Sequence, residues 1–327
     1  MLVLTKSAIT RLLPIAACID VMASAMTQTS QRRVTLPLRQ FMPVPNTTGR
    51  LGLMPGYIAE PARFGLKIVS KYDRPAGSKH GTHVGAVMLF DAAEGLPLAL
   101  LEGGTLTAIR TAAASGLATR TLARADSTVL GILGCGEEAH MHIPAMLAVR
   151  PFSEVLVWGR NIEKAKAFVS HLHLPGGVTA RAVASAQEVV GASDVVCTTT
   201  SAATPILEGA WIKPGTHLNL VGSAVATTAE VDSTCVQRSR FYVDYREAAL
   251  AQAGELLNAI KAGVVTPEHI VGEIGEVLIN KIPGRRTADE ITVYKSLGIS
   301  AQDLAAADYV YTAARAQNIG LDINLST

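Results

Sequence analysis

The feature of this sequence that most constrains its fold is a glycine motif that follows directly on a short apolar segment. Gly134-Cys135-Gly136-Glu137-Glu138-Ala139 comes immediately after the apolar residues 129–133 and opens a helical pattern. A strand, then G-x-G-x-x-A, then a helix is the fingerprint of a Rossmann unit that binds a dinucleotide. Gly134 allows the tight turn, Gly136 lets the backbone approach a pyrophosphate, and the amides of Glu137, Glu138 and Ala139 lie at the positive end of the helix. The alternative is a glycine turn that only closes a βα unit.

The pattern on either side of the motif predicts an α/β fold. From Thr128 onward, apolar strands alternate with amphipathic helices, which is typical of a doubly wound parallel sheet. Before it, short strands separated by turns predict a mostly antiparallel sheet, and alanine-rich segments predict helices over 107–123 and 302–317. The expected strands are 34–38, 50–54, 65–70, 84–91 and 97–102 in the first sheet, and 129–133, 154–158, 179–182, 195–198, 217–221 and 241–243 in the parallel sheet.

The change of pattern at Ala125-Asp126-Ser127 predicts a domain boundary. We expect a Rossmann domain over residues 126–299 that is inserted into a smaller α+β domain made of residues 1–125 and 300–327. A chain of 327 residues is comfortable for two domains of ordinary size. The C-terminal helix would then return to the first domain.

Composition and charge exclude several classes of protein. Hydrophobic residues make up 49% of the chain and charged residues 17%, so the chain can bury a large core. The net charge is +2, and the 29 basic residues form no clustered stripe, which argues against a nucleic-acid partner. The four cysteines, Cys18, Cys135, Cys197 and Cys235, form no C-x-x-C pair, which favours a reducing cytoplasm.

The N-terminal segment resembles a secretory signal, because Lys6 and Arg11 precede an apolar stretch and Ala23-Ser24-Ala25 resembles a cleavage site. Asp20 interrupts that stretch, however, and its apolar residues recur at helical spacing. We therefore expect an amphipathic helix of a folded domain. No run of residues approaches the length of a membrane span.

The end of the second strand of the parallel sheet distinguishes NAD from NADP. An acidic residue there would hydrogen-bond the 2′-hydroxyl of the NAD ribose, and this chain has none. Arg160 and Asn161 stand there instead, which suits the 2′-phosphate of NADP. NADP is therefore expected in preference to NAD, and the alternative is that Arg160 is a solvated residue at a helix start. Further candidates for cofactor contacts follow the fourth and fifth strands: Thr199, Val221, Gly222 and Ser223.

Three cations in the first domain, Arg39, Lys67 and Arg110, are candidates for binding a substrate. Lys67 and Arg110 lie in otherwise apolar segments, where an unpaired charge would be costly and therefore requires an anion. A substrate carboxylate, with a cofactor phosphate near Arg110, is the simplest partner. Internal salt bridges to Asp or Glu are the alternative.

Eight histidines raise the question of a metal site. His80 and His83 form H-x-x-H, but no glutamate stands where a zinc helix of the H-E-x-x-H type requires one. The H-x-H pairs at 140–142 and 171–173 would point their rings apart on a helix. No metal is expected, and His83 is instead a candidate for facing the nicotinamide or the substrate.

Several short motifs are spread over nearly the whole chain and carry a resemblance to a known family: Leu53-Met54-Pro55, Lys67, Arg110-Thr111-Ala112-Ala113, Leu133-Gly134-Cys135-Gly136, Val221-Gly222 and Lys295-Ser296-Leu297-Gly298. Together they resemble the ornithine cyclodeaminase and mu-crystallin family. The resemblance implies an NAD(P)-binding Rossmann domain inserted into a substrate-binding domain that dimerises. It also implies that Arg39, Lys67 and Arg110 hold the substrate carboxylate, that Thr111 joins Arg110 at the cofactor, and that Ser296, Leu297 and Gly298 pack near the nicotinamide.

Two positions depart from the cyclodeaminases of that family. Those enzymes carry an aspartate, which holds the distal amine of ornithine, where this chain has Ala224, and an acidic residue where it has Gly52. Without these carboxylates, a second ammonium group has no evident partner. The sequence is therefore most similar to the ketimine reductases and the Δ1-pyrroline-2-carboxylate reductases of the family.

The resemblance and the cation cluster lead us to expect NAD(P)H-dependent reduction of a small cyclic imine carboxylate, such as Δ1-pyrroline-2-carboxylate to L-proline. Lys67 is the first candidate for the proton donor to the imine nitrogen, and an ordered water is the second. Three alternatives stay open: an alanine-dehydrogenase-like reaction with free ammonia, ornithine cyclodeamination, and a crystallin-like protein that binds NADPH and a carboxylate without turnover. A homodimer is the expected assembly, with no membrane partner.

Overall fold

A computed structural model describes residues 1–72, 81 and 83–324. The chain divides into two compact units, which we call unit 1 (Met1–Arg110 and Ile299–Thr327) and unit 2 (Thr111–Gly298). The division falls within helix α3 (Gly103–Leu122). The expected domain boundary at residues 125–126 stays a prediction. His80 and the side chain of His83 lie outside the described residues, so the expectations for this pair stay predictions.

Unit 1 contains a mostly antiparallel sheet, which confirms the prediction for the first half of the fold. Its strands are β1 (Leu2–Leu4), β2 (Val34–Thr35), β3 (Gln40–Pro43), β4 (Arg50–Ala59), β5 (Ala62–Lys71), β6 (His83–Asp91), β7 (Pro97–Glu102) and β16 (Leu321–Asp322). They lie in the order β16-β1-β7-β6-β5-β4-β2, and β3 also pairs with β4. The β1–β7 pair is parallel, and the other pairs are antiparallel.

Several strands of this sheet differ in length from the predicted ones, and two of the differences involve proline. The predicted strand over 34–38 ends at Thr35, because Pro37 cannot donate to a ladder. By contrast, β4 continues past the predicted end at Met54 and includes Pro55. Pro55 falls between the stretch of β4 that pairs with β3 and the stretch that pairs with β2, where a strand tolerates a missing N–H.

Helices of unit 1 pack on this sheet, and glycine allows the closest approach. The helices are α1 (Lys6–Leu12), α2 (Ile15–Ser30) and α11 (Ser300–Gln317), and α11 packs against α2, β4, β5 and β6. Gly56 and Gly65 pair across β4 and β5. A Cβ atom on Gly65 would lie 2.7 Å from Leu304 Cδ2, and one on Gly56 would lie 2.9 Å from Ser300 Cβ. Helix α11 therefore lies directly on the strand that carries Lys67.

The N-terminal helices are part of this packing. Helix α2 buries Cys18, Ile19, Met22 and Met26 in unit 1. Among the described residues, no single helix is long and apolar enough to cross a membrane. Helices α1 and α2 reach that length and hydropathy only when taken together, and a bend of 85° separates them.

Unit 2 contains a parallel sheet of the Rossmann type, which confirms the other half of the predicted fold. Its strands are β8 (Val129–Leu133), β9 (Glu154–Trp158), β10 (Thr179–Ala182), β11 (Val195–Thr198), β12 (His217–Leu220), β13 (Ser239–Val243), β14 (Ile270–Glu273) and β15 (Ile291–Lys295). The order is β10-β9-β8-β11-β12-β15-β13-β14, and every pair is parallel. Strand order therefore reverses between β8 and β11, which is where such sheets bind ligands.

Short helices connect the strands of unit 2. They are α4 (Glu137–Leu147), α5 (Ile162–Ser170), α6 (Ala186–Ala192), α7 (Ser233–Arg238), α8 (Arg246–Gln252), α9 (Gly254–Lys261) and α10 (Ile274–Leu278), with 3-10 turns at Gly209–Trp211 and Pro267–His269. The sequence patterns did not predict β14 and β15. All five residues of β15 are buried, but the strand ends in Lys295 and follows the charged segment 285–290, and both features obscure its apolar pattern.

Candidate active site

Lys67, Arg110 and Asp303 form a buried cluster in unit 1. The ammonium group of Lys67, on β5, lies 3.0 Å from each carboxylate oxygen of Asp303 on α11. Arg110, on α3, donates from Nε to Oδ1 of Asp303 over 2.8 Å and from Nη1 to Oε1 of Gln302 over 2.7 Å. The exposed fraction is 4% for each cation and 0% for Asp303. Three segments that are distant in sequence thus converge on one carboxylate.

The protein itself supplies one anion for Lys67 and Arg110. The sequence is compatible with two kinds of partner, a substrate carboxylate or an internal acid. The structure contains the internal acid, Asp303. One carboxylate facing two cations leaves one positive charge in the cluster. Because a buried excess charge is costly, the cluster is suited to a ligand that carries one negative charge.

Arg39, the third predicted cation, adds to the positive potential at Lys67. It is half-buried and immediately precedes β3. Burial and the charges of Arg110 and Arg39 lower the pKa of Lys67 to about 8, against the opposing effect of Asp303. Burial raises the pKa of Asp303, but the charges of Arg110 and Lys67 outweigh it and hold that pKa below its ordinary value. Lys67 is thus a buried group that can exchange a proton near neutral pH.

The glycine loop of unit 2 has the geometry that a pyrophosphate site requires. Gly134 follows β8 with a φ of 136°, and a Cβ atom there would lie 2.9 Å from the carbonyl oxygen of Thr199. Gly136 is the N-cap of α4, and a Cβ atom there would meet none of the described residues within 4 Å. The space beside Gly136 and the amides of Glu137, Glu138 and Ala139 is therefore open to an anion.

The loop after β15 contributes a buried polar group to the same edge of the sheet. Ser296 is 2% exposed, and its hydroxyl has no hydrogen-bond partner among the described residues. Asp244 accepts hydrogen bonds from the backbone N–H groups of Leu297 over 2.8 Å and Gly298 over 2.7 Å, which fixes this loop. An unpaired buried hydroxyl on a fixed loop is suited to a polar ligand. The open glycine loop and Ser296 together fit a dinucleotide.

Some of the predicted cofactor residues also have internal partners. Asn161 is the N-cap of α5 and accepts the backbone N–H of Lys164 over 3.0 Å. The hydroxyl of Ser223 donates to the carbonyl of Thr228 over 2.6 Å. Thr111, a further predicted cofactor residue, is buried, with an exposed fraction of 7%. Arg160 follows the end of β9 and is exposed. Asn161 thus caps α5, whereas Arg160 has no capping role in the part of the chain that the structure describes.

The H-x-H pair at 140–142 divides between surface and core. His140 is exposed, whereas His142 is buried, with Nδ1 2.6 Å from the carbonyl oxygen of Glu138 and Nε2 3.0 Å from the hydroxyl of Ser115. Burial lowers the pKa of His142 to about 4, so its ring is neutral at physiological pH. In the part of the chain that the structure describes, no three His, Cys, Asp or Glu side chains are arranged to hold a metal ion.

Comparison with known proteins identifies the family. The sequence pattern of the ornithine cyclodeaminase/mu-crystallin family matches residues 1–318. The chain belongs to this family. It is 38% identical over 278 residues to the ketimine reductase mu-crystallin of Mus musculus, with 85% of each chain covered.

Two solved structures of relatives share the whole fold. One is Δ1-pyrroline-2-carboxylate reductase of Thermococcus litoralis in complex with NADH and L-proline, which is 33% identical with a TM-score of 0.95 and covers 99% of this chain and 100% of its own. The other is an archaeal alanine dehydrogenase dimer with bound NAD, which is 29% identical with a TM-score of 0.92 and covers 99% of each chain. Both relatives thus match this chain from end to end.

The two positions at which this member departs from the family's cyclodeaminases differ in their surroundings. Gly52 lies in β4, where a Cβ atom would be 2.9 Å from Val69 Cγ1 and 3.0 Å from Phe41 Cε1. An acidic side chain at this position would require both neighbours to move. Ala224 is partly exposed in the loop after β12, so a larger side chain there meets less resistance.

The shared carboxylate predicts which substitution in the cluster is the most destabilising. Asp303→Asn leaves two buried cations without a counter-charge and should lower the free energy of unfolding by about 3–5 kcal/mol. Lys67→Met retains the Arg110–Asp303 pair and should cost less. Urea unfolding measures both values, and Asp322→Asn, an exposed aspartate of unit 1, serves as the control with little expected change. Equal losses for Asp303→Asn and Lys67→Met would contradict the shared-carboxylate arrangement.

Proposed function

We propose that the chain reduces a small cyclic imine carboxylate, Δ1-pyrroline-2-carboxylate to L-proline or a related ketimine, with hydride from NAD(P)H. The observation that carries this proposal is the buried cluster of Lys67, Arg110 and Asp303, which has one positive charge in excess. A cyclic imine carboxylate carries one negative charge and no distal amine. The NADH and L-proline complex of the Thermococcus litoralis relative supports the same chemistry.

The proposed binding step uses donors that the internal contacts leave available. Asp303 and Gln302 engage Nε and Nη1 of Arg110, so the guanidinium retains further N–H groups for a carboxylate. The ammonium of Lys67 has three N–H groups and contacts Asp303. Together with Arg39, these groups would fix the carboxylate of the substrate and remove most of its orientational freedom.

The proposed proton donor to the imine nitrogen is Lys67. With a pKa of about 8, it is largely protonated at neutral pH yet close enough to neutral to give up its proton. Transfer of that proton moves one positive charge from Lys67 to the imine nitrogen, so the total charge of the cluster and the bound substrate does not change. A protonated imine accepts hydride far better than a neutral one, and the bound dinucleotide supplies that hydride.

The proposed cofactor residues are the backbone of Gly134 to Ala139, the loops at Thr199 and at Val221, Gly222 and Ser223, and the loop at Ser296, Leu297 and Gly298, with Arg110 and Thr111 as further contacts. We further propose that NADP is preferred to NAD. Strand β9 ends without an acidic residue, and Arg160 is exposed there to reach a 2′-phosphate.

We propose a homodimer that pairs the outer faces of the unit 1 sheets. Phe64 and Ile68 lie on β5 on the opposite face from Lys67, with exposed fractions of 36% and 38%, and Val84 on β6 is 42% exposed. The register of β5 and β6 places all three side chains on one face of the sheet, and exposed apolar side chains grouped on one face favour an interaction site. The dimeric alanine dehydrogenase relative supports a second copy as the occupant. A monomer in sedimentation equilibrium would contradict the proposed homodimer.

A cytoplasmic location stays a prediction that rests on the absence of a C-x-x-C pair among the four cysteines.

The reaction can be tested by following NADPH oxidation with a panel of substrates. Δ1-Pyrroline-2-carboxylate and Δ1-piperideine-2-carboxylate should be reduced, pyruvate with ammonia should be poor, and ornithine should release no ammonia because Ala224 offers no carboxylate to its distal amine. Lys67→Met should lower kcat/KM for the imine by about 100-fold or more, while Lys71→Met on the same strand should not. Efficient ammonia release from ornithine, or a preference for pyruvate with ammonia, would refute the proposed reaction.

The cofactor preference can be tested at Arg160. Arg160→Asp places a carboxylate where the 2′-phosphate would lie, and it should lower kcat/KM for NADPH by tenfold or more while retaining or improving NADH use. Arg160→Ala, which removes the cation without adding an anion, should weaken NADPH alone. If the unmodified protein uses NADH as efficiently as NADPH, the proposed role of Arg160 is wrong, although the proposed reaction is unaffected.

A further inference from the structure

Glu230 of unit 2 joins two loops through a single buried carboxylate. Its Oε1 accepts the backbone N–H of Thr200 over 2.8 Å and the hydroxyl of Thr200 over 2.7 Å. Its Oε2 accepts the hydroxyl of Thr198 and the backbone N–H of Gly222, each over 2.7 Å. Thr200 lies in the loop after β11, and Gly222 lies in the loop after β12. The carboxylate therefore sets the distance between these two loops.

The acceptor capacity of Glu230 is filled by these contacts. A carboxylate has about four lone-pair sites, and four donors occupy them here. Burial raises the pKa of Glu230, and the hydrogen bonds from Thr198 and Thr200 and the charge of Lys295 oppose this effect by stabilising the ionised form. Gly222 also packs so tightly that a Cβ atom there would collide with the carbonyl oxygen of Thr200 and lie 2.5 Å from Oε1 of Glu230. Because Glu230 is completely buried, it cannot itself touch a ligand, and any effect it has on binding must pass through the loops.

A second buried pair extends the network to a third loop. Glu255, on α9, accepts the backbone N–H of Glu230 over 3.2 Å and forms an ion pair with Lys295 at 3.1 Å. Lys295 in turn donates to the carbonyl oxygen of Ser223 over 2.5 Å. Lys295 ends β15, and the next residue is Ser296, whose buried hydroxyl has no hydrogen-bond partner among the described residues. The loops after β11, β12 and β15 are thus connected by one network of buried hydrogen bonds and the Lys295–Glu255 ion pair.

These three loops correspond to one half of a dinucleotide site. In a doubly wound sheet, the first half, here β8 to β10, holds the adenosine portion, because the residue that contacts its ribose follows the second strand. The second half begins at β11 and is left for the nicotinamide mononucleotide. The Glu230 network lies under this second half. Among the described residues, the Glu230 carboxylate has no hydrogen bond to the glycine loop at 134–136, and the loop approaches the network where Gly134 packs against Thr199.

We infer that Glu230, supported by Lys295 and Glu255, is a positioning residue that holds the backbone of Thr200 and Gly222 in the shape that binds the nicotinamide half of the cofactor. This inference rests on the cofactor part of the proposed function. Glutamine is the informative replacement, because its amide retains the size of the side chain but turns an NH2 group toward two of the four donors. It also leaves the Lys295–Glu255 pair intact and balanced.

The test compares binding of NADPH and NADH with binding of ADP-ribose, which lacks the nicotinamide, by calorimetric titration of the full chain. In Glu230→Gln, affinity for both dinucleotides should fall by about tenfold or more. Affinity for ADP-ribose should fall by less than this, because the hydrogen bonds of Glu230 lie in the loops of the nicotinamide half. Thr198→Val removes one buried donor with little change of shape and should give a smaller loss of the same selectivity. The control is Glu188→Gln, an exposed glutamate of the same unit, which should bind all three ligands normally.

Three results would overturn the inference in distinguishable ways. Unchanged dinucleotide affinity in Glu230→Gln and Thr198→Val would refute the positioning role while leaving the proposed function intact. An equal loss of ADP-ribose affinity in Thr198→Val would show a general structural role instead. Absence of dinucleotide binding by the unmodified chain would refute the cofactor proposal together with the inference. A variant Glu230→Gln that fails to fold leaves Thr198→Val to decide between these results.

Discussion

The arrangement of unit 1 depends on one buried carboxylate, Asp303, that two cations share. Taking three charges out of water is costly, and the cost is offset only when their geometry is close and their remaining hydrogen bonds are satisfied. The 2.8–3.0 Å contacts of Asp303 with Lys67 and Arg110 meet the requirement for close geometry, whereas Oδ2 of Asp303 has an ion-pair contact with Lys67 but no hydrogen-bond partner among the described residues. They also fix β5, α3 and α11 to one another within unit 1. The positive charge that remains is the basis on which we propose that the cluster binds an anionic ligand.

Buried carboxylates also hold segments of the chain together in unit 2. Asp244 and Glu230 are buried carboxylates that accept backbone N–H groups and so define the loops at the carboxyl ends of the parallel strands. Glycine provides the complementary condition, because Gly56 and Gly65 admit α11 to the sheet of unit 1 and Gly134 and Gly222 admit close backbone contacts in unit 2. In each unit, glycine residues thus allow segments of the chain to approach closely, and a buried carboxylate holds neighbouring segments in place.

The sequence predicted the parts of the structure that local patterns encode. The strands β8, β9 and β11 are predicted because each is a short apolar run with a clear boundary, and the glycine motif is predicted because it follows β8 directly. Lys67 and Arg110 were recognisable as cations in apolar segments. Asp303 was not, since an aspartate within an alanine-rich helix has the pattern of a solvated residue, and its burial depends on a strand more than two hundred positions away. Glu230 was missed for the same reason, because its partners are tertiary. Strand β15 was missed because Lys295 and the preceding charged segment obscure its apolar pattern.

The most direct test of the central claim is whether the cluster selects a ligand for a single negative charge. Pyrrole-2-carboxylate is a planar ring acid that resembles the proposed substrate but cannot accept hydride, and pyrrole-2-carboxamide has the same shape without the charge. In calorimetric titrations of the unmodified protein with and without NADPH, the carboxylate should bind at least about tenfold more tightly than the carboxamide, since hydrogen bonds between charged groups are worth roughly 1.5–3 kcal/mol. This preference should shrink in Lys67→Met, in which the charges of Arg110 and Asp303 cancel. Equal affinities for the two ligands in the unmodified protein would contradict the account.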